Sequence, residues 1–372
     1  MGLQDYARLQ RHEHHRLVDA KGHKQALQVG DKLDDDRWKA QAETPLFRSK
    51  RAETLAMLLR ARVVLYKGRK PVSASELRTE LASPEKRQAV QSLIRRAKSE
   101  RVGVAIADIS VCGAVAPYSM LLGGKLVAML TASPEVIAAY GERNGNSQSV
   151  IASSIAGRPI VRTPHLVFLG TTSLCATEPT QYTRVHVPCE LLGGRQGESV
   201  RYRLLGRTEG FGTLQFSKDT TGALSTLLAQ SDGGQRVHSI FGEGVNPRLR
   251  KIRDGLDVLG LPSDVLLAHG SARLVYGVAL ARNFREYLLG LESEPDYLVP
   301  LKNPKAATQA VGDWWAERWL ARRIQREEVF AELAKQKLTY PVRHGARVIV
   351  PDREHDRLLF SDEETPGGEC GT

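Results

Sequence analysis

Three side chains are candidates for catalysis because of their chemistry and their position next to glycines. Glu209 and Glu243 each occur in a glycine-containing loop that follows an apolar run. A carboxylate at a strand end can act as a general base or hold a metal, although a surface turn residue has the same surroundings. Cys112 could be a nucleophile near His238 or His186, or simply a buried thiol, because no nucleophile elbow or triad motif accompanies it. The catalytic candidates are therefore Glu209, Glu243 and Cys112, and the sequence leaves open whether the protein is an enzyme.

Two glycine loops indicate an anion site. The first follows a strand pattern at Val200–Gly206, and the second runs into Asn246-Pro247, which predicts a helix start. Free backbone N–H groups and the positive end of a helix dipole suit a phosphate group. Ion pairs of the helix arginines with Asp254 or Asp257 are the alternative. The predicted phosphate- or nucleic-acid-binding residues here are Arg207, Gly210, Gly212, Gly242, Gly244, Asn246, Arg248, Arg250 and Arg253.

The overall charge favours a polyanionic partner. The chain has 53 Lys and Arg against 42 Asp and Glu, a formal net charge of +11. Basic residues are concentrated at Arg60–Arg101 and in a row formed by Arg318, Arg322 and Arg326 on a long helix predicted over Thr308–Lys337. Solvated helix faces are the alternative for such runs, and the N-terminal helices could also simply pack on the next domain. Nucleic acid, bound through its backbone, is the predicted partner.

The cysteine pattern predicts free thiols and no metal centre. The four cysteines include no C-x-x-C pair. His186 and Cys189 form an H-x-x-C that could hold a metal together with Cys175 or Cys112, but ordinary buried residues explain it as well. No apolar run reaches the roughly 18 residues of a membrane span, and the N-terminus lacks a signal-peptide pattern. We therefore expect a cytoplasmic location without membrane contact, whereas the oligomeric state and any cofactor stay undetermined.

The pattern of apolar and polar residues predicts an α/β (α+β) protein: a mixed twisted sheet with flanking helices and helical N- and C-terminal extensions. The capping box Ser73–Glu76 and Ser83-Pro84 predict two helices in the N-terminal part, and Ser133-Pro134 predicts another. Glycine-punctuated apolar runs predict strands, and Gly123-Gly124 predicts a hairpin turn. The predicted strands are Val102–Ile109, Ser149–Ile155, Leu166–Leu169, Tyr182–Val187, Val200–Gly206, Val265–Leu267 and Leu274–Leu280, with the hairpin over Met120–Leu130.

Changes in composition divide the chain into four parts. Residues 1–101 form a basic, mainly helical region, and residues 102–291 form the α/β core. Residues 292–351 form a C-terminal helical region. Residues 352–372 contain seven acidic and two basic side chains, which predicts a flexible tail.

Several short motifs together resemble the DruA-like proteins of the Druantia anti-phage systems. The resemblance extends from about Val102 to Leu291 and implies a role in bacterial defence together with other proteins of the system. The resemblance does not imply a particular reaction for this chain. The motifs are Cys112-Gly-Ala-Val-Ala-Pro-Tyr118, Leu121-Leu-Gly-Gly-Lys-Leu126, Ser133-Pro-Glu135, Ile151-Ala-Ser-Ser154, Thr171-Thr-Ser-Leu174, Gln181-Tyr182, Thr208-Glu-Gly-Phe-Gly212 and Phe241-Gly-Glu-Gly244.

A second resemblance concerns the core. The order of strand, R-x-x-G-x-G at Arg207–Gly212, helix and strand is similar to the GNAT acyltransferases, whose glycine loop holds the pyrophosphate of acyl-CoA. A simple turn or β-bulge also explains the loop. Two functions follow from the sequence: a nucleic-acid-binding defence component, or a transferase that uses a phosphate-bearing cofactor such as acyl-CoA.

Overall fold

The computed structural model describes residues 1–17, 35–65, 73–115, 118–145, 148–173, 178–210, 212–213, 216–230, 247–268, 270 and 272–335. Its strands are β1 (Ile106–Ile109), β2 (Phe168–Thr172), β3 (His186–Pro188), β4 (Ser199–Arg201), β5 (Arg203–Arg207) and β6 (Leu274–Ala279). Its helices span Leu3–Leu17, Asp35–Ala42, Pro45–Leu65, Ala74–Glu80, Pro84–Ser99, Val102–Ala105, Ser119–Thr131, Pro134–Asn144, Val150–Ala156, Thr180–Thr183, Lys218–Gln230, Pro247–Val258, Ser263–Leu266, Phe284–Leu289, Pro304–Trp315, Ala321–Arg323 and Glu327–Ala334. This confirms a mixed α/β protein.

The main sheet has the strand order β1-β2-β6-β5. Strands β1 and β2 run parallel, and β6 runs antiparallel to both β2 and β5. A parallel pair needs a crossover connection, which here contains the three helices between Ser119 and Ala156. Strands β3 and β4 form a separate antiparallel pair.

One face of the sheet carries the main core. Leu169 on β2 and Tyr276 and Val278 on β6 are buried against helices of the crossover and against Val311 and Trp315 of the helix Pro304–Trp315. The core thus includes side chains from beyond residue 291, where the predicted core domain ends. The four-part division of the chain itself stays a prediction.

The N-terminal helices pack on one another. Buried Leu46 and Phe47 form a small cluster at the start of the helix Pro45–Leu65. The hydroxyl of Ser49 donates to the carbonyl of Ala7 at 2.9 Å, and so ties this helix to the first one. The described residues before Arg101 are thus mainly helical, whereas the bounds of the N-terminal region stay a prediction.

The predicted hairpin at Met120–Leu130 is wrong, because this segment is the helix Ser119–Thr131. Gly123 interrupts the helix with φ 62° and ψ 177°, a conformation that favours glycine. The Arg323 guanidinium donates to the carbonyls of Met120 and Leu121 at 3.3 and 2.8 Å, where the helical ladder is broken. Gly123-Gly124 therefore marks a kink in a buried helix rather than a turn between strands.

Two other strand predictions are wrong, and two are confirmed only in part. Ser149–Ile155 is helical over Val150–Ala156, with the Ser149 side chain accepting from the amide of Ala152 at 3.3 Å. Val265–Leu267 lies in and just after the helix Ser263–Leu266. The first half of Val102–Ile109 is a helical turn before β1, and Tyr182–Val187 is divided between a helical turn and β3. Short apolar runs do not distinguish strands from buried helical turns.

The predicted long helix at Thr308–Lys337 is broken. A π turn at Ala316–Leu320 changes the helical register, and Arg326 has extended backbone angles of −97° and 114° before the next helix. Arg318, Arg322 and Arg326 therefore do not form one continuous helical row.

Among the described residues, no single helix is long and apolar enough to cross a membrane. Only one pair of the described helices is long and apolar enough when taken together, and its two helices, Ser119–Thr131 and Pro134–Asn144, are bent by 56° relative to each other.

Candidate nucleic-acid interface

The second face of the sheet carries the candidate site. Residues paired across neighbouring strands point their side chains to the same face. Asp108 pairs with Gly170, Gly170 with Gly277, and Gly277 with Arg203, so this row crosses all four strands on the side opposite the main core. We call this side the open face.

Two glycines in the middle of that row leave room above the sheet. A Cβ atom added at Gly277 would overlap the ring of Phe168, which lies across this position from β2. Glycine is therefore required for Phe168 to pack flat on the sheet. The Phe168 ring in turn stacks on Phe284, with centroids 5.2 Å apart and an interplanar angle of 23°.

A cleft lies beside these rings and has a volume of about 380 Å³. We call it the arginine cleft. It is lined by Phe168, Gly197, Glu198, Ser199, Arg201, Arg203, Leu205, Gly277, Ala279, Ala281, Arg282, Phe284, Arg285 and Leu298.

Arg201 and Arg203 reach the cleft because the chain alternates around Tyr202. Tyr202 is buried, and its hydroxyl donates to the carbonyl of Ala128 at 2.9 Å and lies 3.0 Å from the hydroxyl of Thr131. With Tyr202 fixed in the core, the side chains before and after it project to the other side. Both arginines are exposed.

Arg282 has a different role, because it is fully engaged by protein groups. Its Nε donates to Glu198 Oε1 at 2.7 Å, and its Nη1 donates to Asp296 Oδ1 and to the carbonyl of Tyr297, each at 2.7 Å. This contact lowers the pKa of Glu198 below its ordinary value, chiefly through the hydrogen bond from Arg282. The same contact raises the pKa of Arg282. The charge of Arg282 is thus compensated within the cleft wall.

Three arginines of the cleft lack such compensation. Among the described residues, no carboxylate lies within ion-pair distance of Arg201, Arg203 or Arg285. The Arg285 guanidinium lies over the Phe284 ring, 4.8 Å from its centroid. The cleft therefore presents a net positive charge next to an aromatic and aliphatic wall, which suits an anion with an apolar part.

Comparison with known proteins identifies the family. The family model described as Druantia protein DruA matches residues 86–290, more than half of the chain. The chain belongs to the DruA family. It is also 28% identical over 250 residues to Druantia protein DruA of Escherichia coli (strain UMEA 4076-1), an alignment that covers 66% of this chain and 57% of that relative. The chain thus spans little more than half the length of this curated relative, and no solved structure matches it.

The DruA region includes most of the cleft. Its lining residues from Phe168 to Arg285 lie within the matched segment, whereas Leu298 and the C-terminal arginines Arg318, Arg322 and Arg326 lie outside it. Arg318 packs over Trp314 and Trp319, 5.4 Å from each ring centroid. Its role in nucleic-acid binding stays a prediction, and so do those of Arg322 and Arg326.

The first predicted glycine loop is placed at the end of β5. Arg207 and Glu209 are exposed, and Gly210 has φ +73°. The amide of Gly212 donates to the carbonyl of Leu267 at 3.0 Å, and the following helix begins only at Lys218. The Gly212 amide is therefore already engaged within the protein. Because the next helix starts six residues later, the loop does not open a helix, as the loop of a GNAT acyltransferase would. A GNAT-like core is not confirmed.

The second predicted loop, with Gly242, Glu243, Gly244 and Asn246, lies outside the described residues. The helix that it was expected to start is confirmed at Pro247–Val258. Arg248 Nη2 donates to the carbonyl of Phe216 at 3.1 Å, which ties this helix to the segment before the helix Lys218–Gln230. Neither Asp254 nor Asp257 is its partner in this contact.

The two other arginines of this helix have different surroundings. Arg250 is exposed and has interactions within the protein, whereas Arg253 Nε is buried and has no hydrogen-bond partner among the described residues. The helix packs through Ile252 and Leu256 against Leu224 and Leu267, a cluster distinct from those of the sheet. Anion binding at Arg248, Arg250 and Arg253 stays a prediction.

The two cysteines among the described residues, Cys112 and Cys189, lie in packed surroundings. Cys112 is half-buried, and burial raises its pKa above the ordinary value. A thiol with a raised pKa has less thiolate near neutral pH. The catalytic role of Cys112 stays a prediction. Cys189 is buried, and burial raises its pKa to about 11. In the described part of the chain, no three His, Cys, Asp or Glu side chains cluster to hold a metal.

The residues that form the arginine cleft were not among the predicted site residues. A signal was present for two of them, since Arg201 and Arg203 alternate with Val200 and Tyr202 in a strand pattern. Phe168, Gly277 and Arg285 carried no such signal, because only the register of β2, β6 and β5 brings them together.

Proposed function

We propose that this protein is a nucleic-acid-binding component of a Druantia anti-phage defence system. Membership of the DruA family supports the defence role, and the other proteins of the system are the expected partners. The observation that carries the binding proposal is the arginine cleft beside the open face, which is lined by three uncompensated guanidinium groups. Arginine is well suited to phosphate groups, because its planar donors match the phosphate oxygens in pairs.

The cleft supports this proposal better than the basic runs that the sequence indicated. In the N-terminal run, Arg87 donates to the carbonyl of Leu81, and Lys86 pairs with Glu80. Arg101 donates to the carbonyl of Tyr287 at 2.7 Å and stacks on its ring. These side chains stabilise the protein itself, whereas Arg201 and Arg203 have no carboxylate partner among the described residues.

The acyl-CoA transferase has no specific observation in its favour. The amide of Gly212 is engaged by Leu267 in the loop expected to hold a pyrophosphate. We therefore do not propose this alternative.

The test compares two triple variants of the full chain. The first, Arg201→Gln, Arg203→Gln and Arg285→Gln, removes the uncompensated charges of the cleft. The second, Arg8→Gln, Arg60→Gln and Arg78→Gln, removes the same charge from exposed positions on the N-terminal helices. Fluorescence anisotropy with labelled DNA and RNA oligonucleotides at 50 mM salt measures the affinity.

We expect the cleft variant to bind at least tenfold more weakly than the wild type and the control variant to change little. An equal loss in both variants would mean that only net charge matters. A loss in the control alone would place the binding surface on the N-terminal helices. Absence of wild-type binding to every oligonucleotide at low salt would contradict the proposed function.

A further inference from the structure

We infer that the arginine cleft takes an unpaired nucleotide, so that the protein selects single-stranded over duplex nucleic acid. This inference rests on the proposed function and goes beyond it, because phosphate binding alone does not distinguish strands from duplexes. It depends on the shape of the cleft and on the apolar side chains beside its arginines.

The shape favours a small part of a strand. A recess of about 380 Å³ has the size of a small-molecule site rather than that of a surface for a helix of nucleic acid. In a duplex the bases are paired and stacked inward, and only phosphates and groove edges are presented to a protein. An unpaired base can enter a recess, and single strands are commonly recognised in this way.

The walls contain more apolar surface than a phosphate site needs. Phe168, Leu205 and Leu298 line the cleft together with the arginines. Leu205 is 57% exposed, although a leucine on a strand normally faces the core. An apolar wall next to three cations matches a nucleotide, which joins an apolar flat base to an anionic phosphate.

Leu205 lies on the same side of β5 as Arg203, because side chains alternate along a strand. It lies over Gly277 on the open face, whereas Leu204 pairs with Tyr276 on the opposite face. The pairing of β5 with β6 shifts between Leu204 and Gly206, which leaves Leu205 as an extra residue without a partner on β6. Bulges of this kind are common next to functional sites.

Leu204 and Leu205 form a matched pair for a test. Both are exposed, at 48% and 57%, so truncation of either leaves the core intact, but only Leu205 lines the cleft. Full-length wild type, Leu205→Ala and Leu204→Ala would be titrated into a labelled 20-nucleotide strand without self-complementarity. The same strand annealed to its complement serves as the duplex at equal salt.

The wild type is expected to bind the single strand at least tenfold more tightly than the duplex. Leu205→Ala should weaken single-strand binding about fivefold or more, which is the low end of the affinity that one base contact contributes. The same substitution should leave duplex binding unchanged. Leu204→Ala should match the wild type. A 5′-mononucleotide at millimolar concentration should compete only weakly, because it lacks the contacts of the neighbouring nucleotides.

Other results overturn the inference in separable ways. Equal affinity for strand and duplex, or equal effects of the two leucine variants, refutes the unpaired-nucleotide site while the proposed function stands. Strong displacement by the mononucleotide would instead assign the cleft to a free nucleotide. A wild-type protein that binds neither strand nor duplex contradicts both this inference and the proposed function.

Discussion

Replacement of Arg203 by Gln gives a quantitative test of how the arginine cleft binds. Arg203 is exposed on β5 and pairs across the sheet with Gly277. Glutamine keeps much of the side chain and removes the charge. Surface substitutions of this type usually change the free energy of unfolding by less than about 0.5 kcal/mol, so folding should be unaffected.

The expected magnitude follows from the number of uncompensated arginines. Each phosphate neutralised on a single strand contributes a slope of about −0.7 to the dependence of log affinity on log salt concentration. If Arg201, Arg203 and Arg285 each neutralise one phosphate, the cleft contributes a slope of about −2. Between 50 and 200 mM salt, this slope weakens binding by about 20-fold. For Arg203→Gln the same change of salt should weaken the cleft contribution by only about sevenfold.

The assay is a series of anisotropy titrations of a labelled single strand at four or five salt concentrations. Arg8→Gln, on the exposed side of the first helix, has the same net charge and serves as the control. The control should keep the wild-type slope, since its position lies outside the cleft. A wild-type slope for Arg203→Gln, or an equal reduction in both variants, would refute the assignment of phosphate contacts to Arg203.

Three further predictions concern glycine packing, an ion pair in the cleft wall and the reactivity of a thiol. Gly277→Ala should destabilise the protein by about 1–3 kcal/mol, because the added Cβ would overlap Phe168. Gly312→Ala serves as the control and should stabilise the protein by about 0.5–1 kcal/mol, because its Cβ would meet nothing within 4 Å and alanine restricts the unfolded chain. Thermal or urea unfolding measures both effects. Glu198→Gln should lower Tm at pH 7. Folding lowers the pKa of Glu198 from its ordinary 4.5, so the ion pair with Arg282 stabilises the folded protein above that pH. The difference in Tm between wild type and variant should vanish as the pH falls through the lower pKa of the folded state. A Tm difference that does not depend on pH would contradict this. Alkylation of Cys112 by iodoacetamide, followed by peptide mass spectrometry, should be slow at pH 7 and accelerate with pH, since burial raises the thiol pKa; rapid reaction at pH 7 would contradict this.

Local signals in the sequence were sufficient to predict where several helices begin. Ser73 accepts from the amide of Glu76 at 3.3 Å, and Glu76 Oε2 accepts from the amide of Ser73 at 2.8 Å, as the capping-box pattern predicts. Ser133-Pro134 and Asn246-Pro247 likewise mark the helices that follow them. Such signals succeed because a cap residue, or a proline in the first helical turn, acts on backbone groups that are its neighbours in the chain; Ser133 itself makes no side-chain cap bond, and Pro134 marks that start.

The errors arose where distant residues decide the local structure. Gly123 bends a helix that Arg323, two hundred residues later, holds through the carbonyls of Met120 and Leu121. The cleft likewise combines Phe168, Arg203 and Arg285, and its geometry depends on strand register and on the bulge at Leu205. Composition predicted the sign of the surface charge, but the structure was needed to show which arginines are engaged within the protein.

The most direct test of the proposed interface is photo-crosslinking. A single strand that carries one halogenated uracil would be irradiated with the wild-type full chain, and the linked peptide identified by mass spectrometry. Crosslinks are expected in the cleft, at Phe168 or within Arg203–Arg207, and Arg201→Gln and Arg203→Gln together should abolish them. Crosslinks confined to the N-terminal helices or to the helix Pro247–Val258, and unchanged by those substitutions, would contradict the proposed interface.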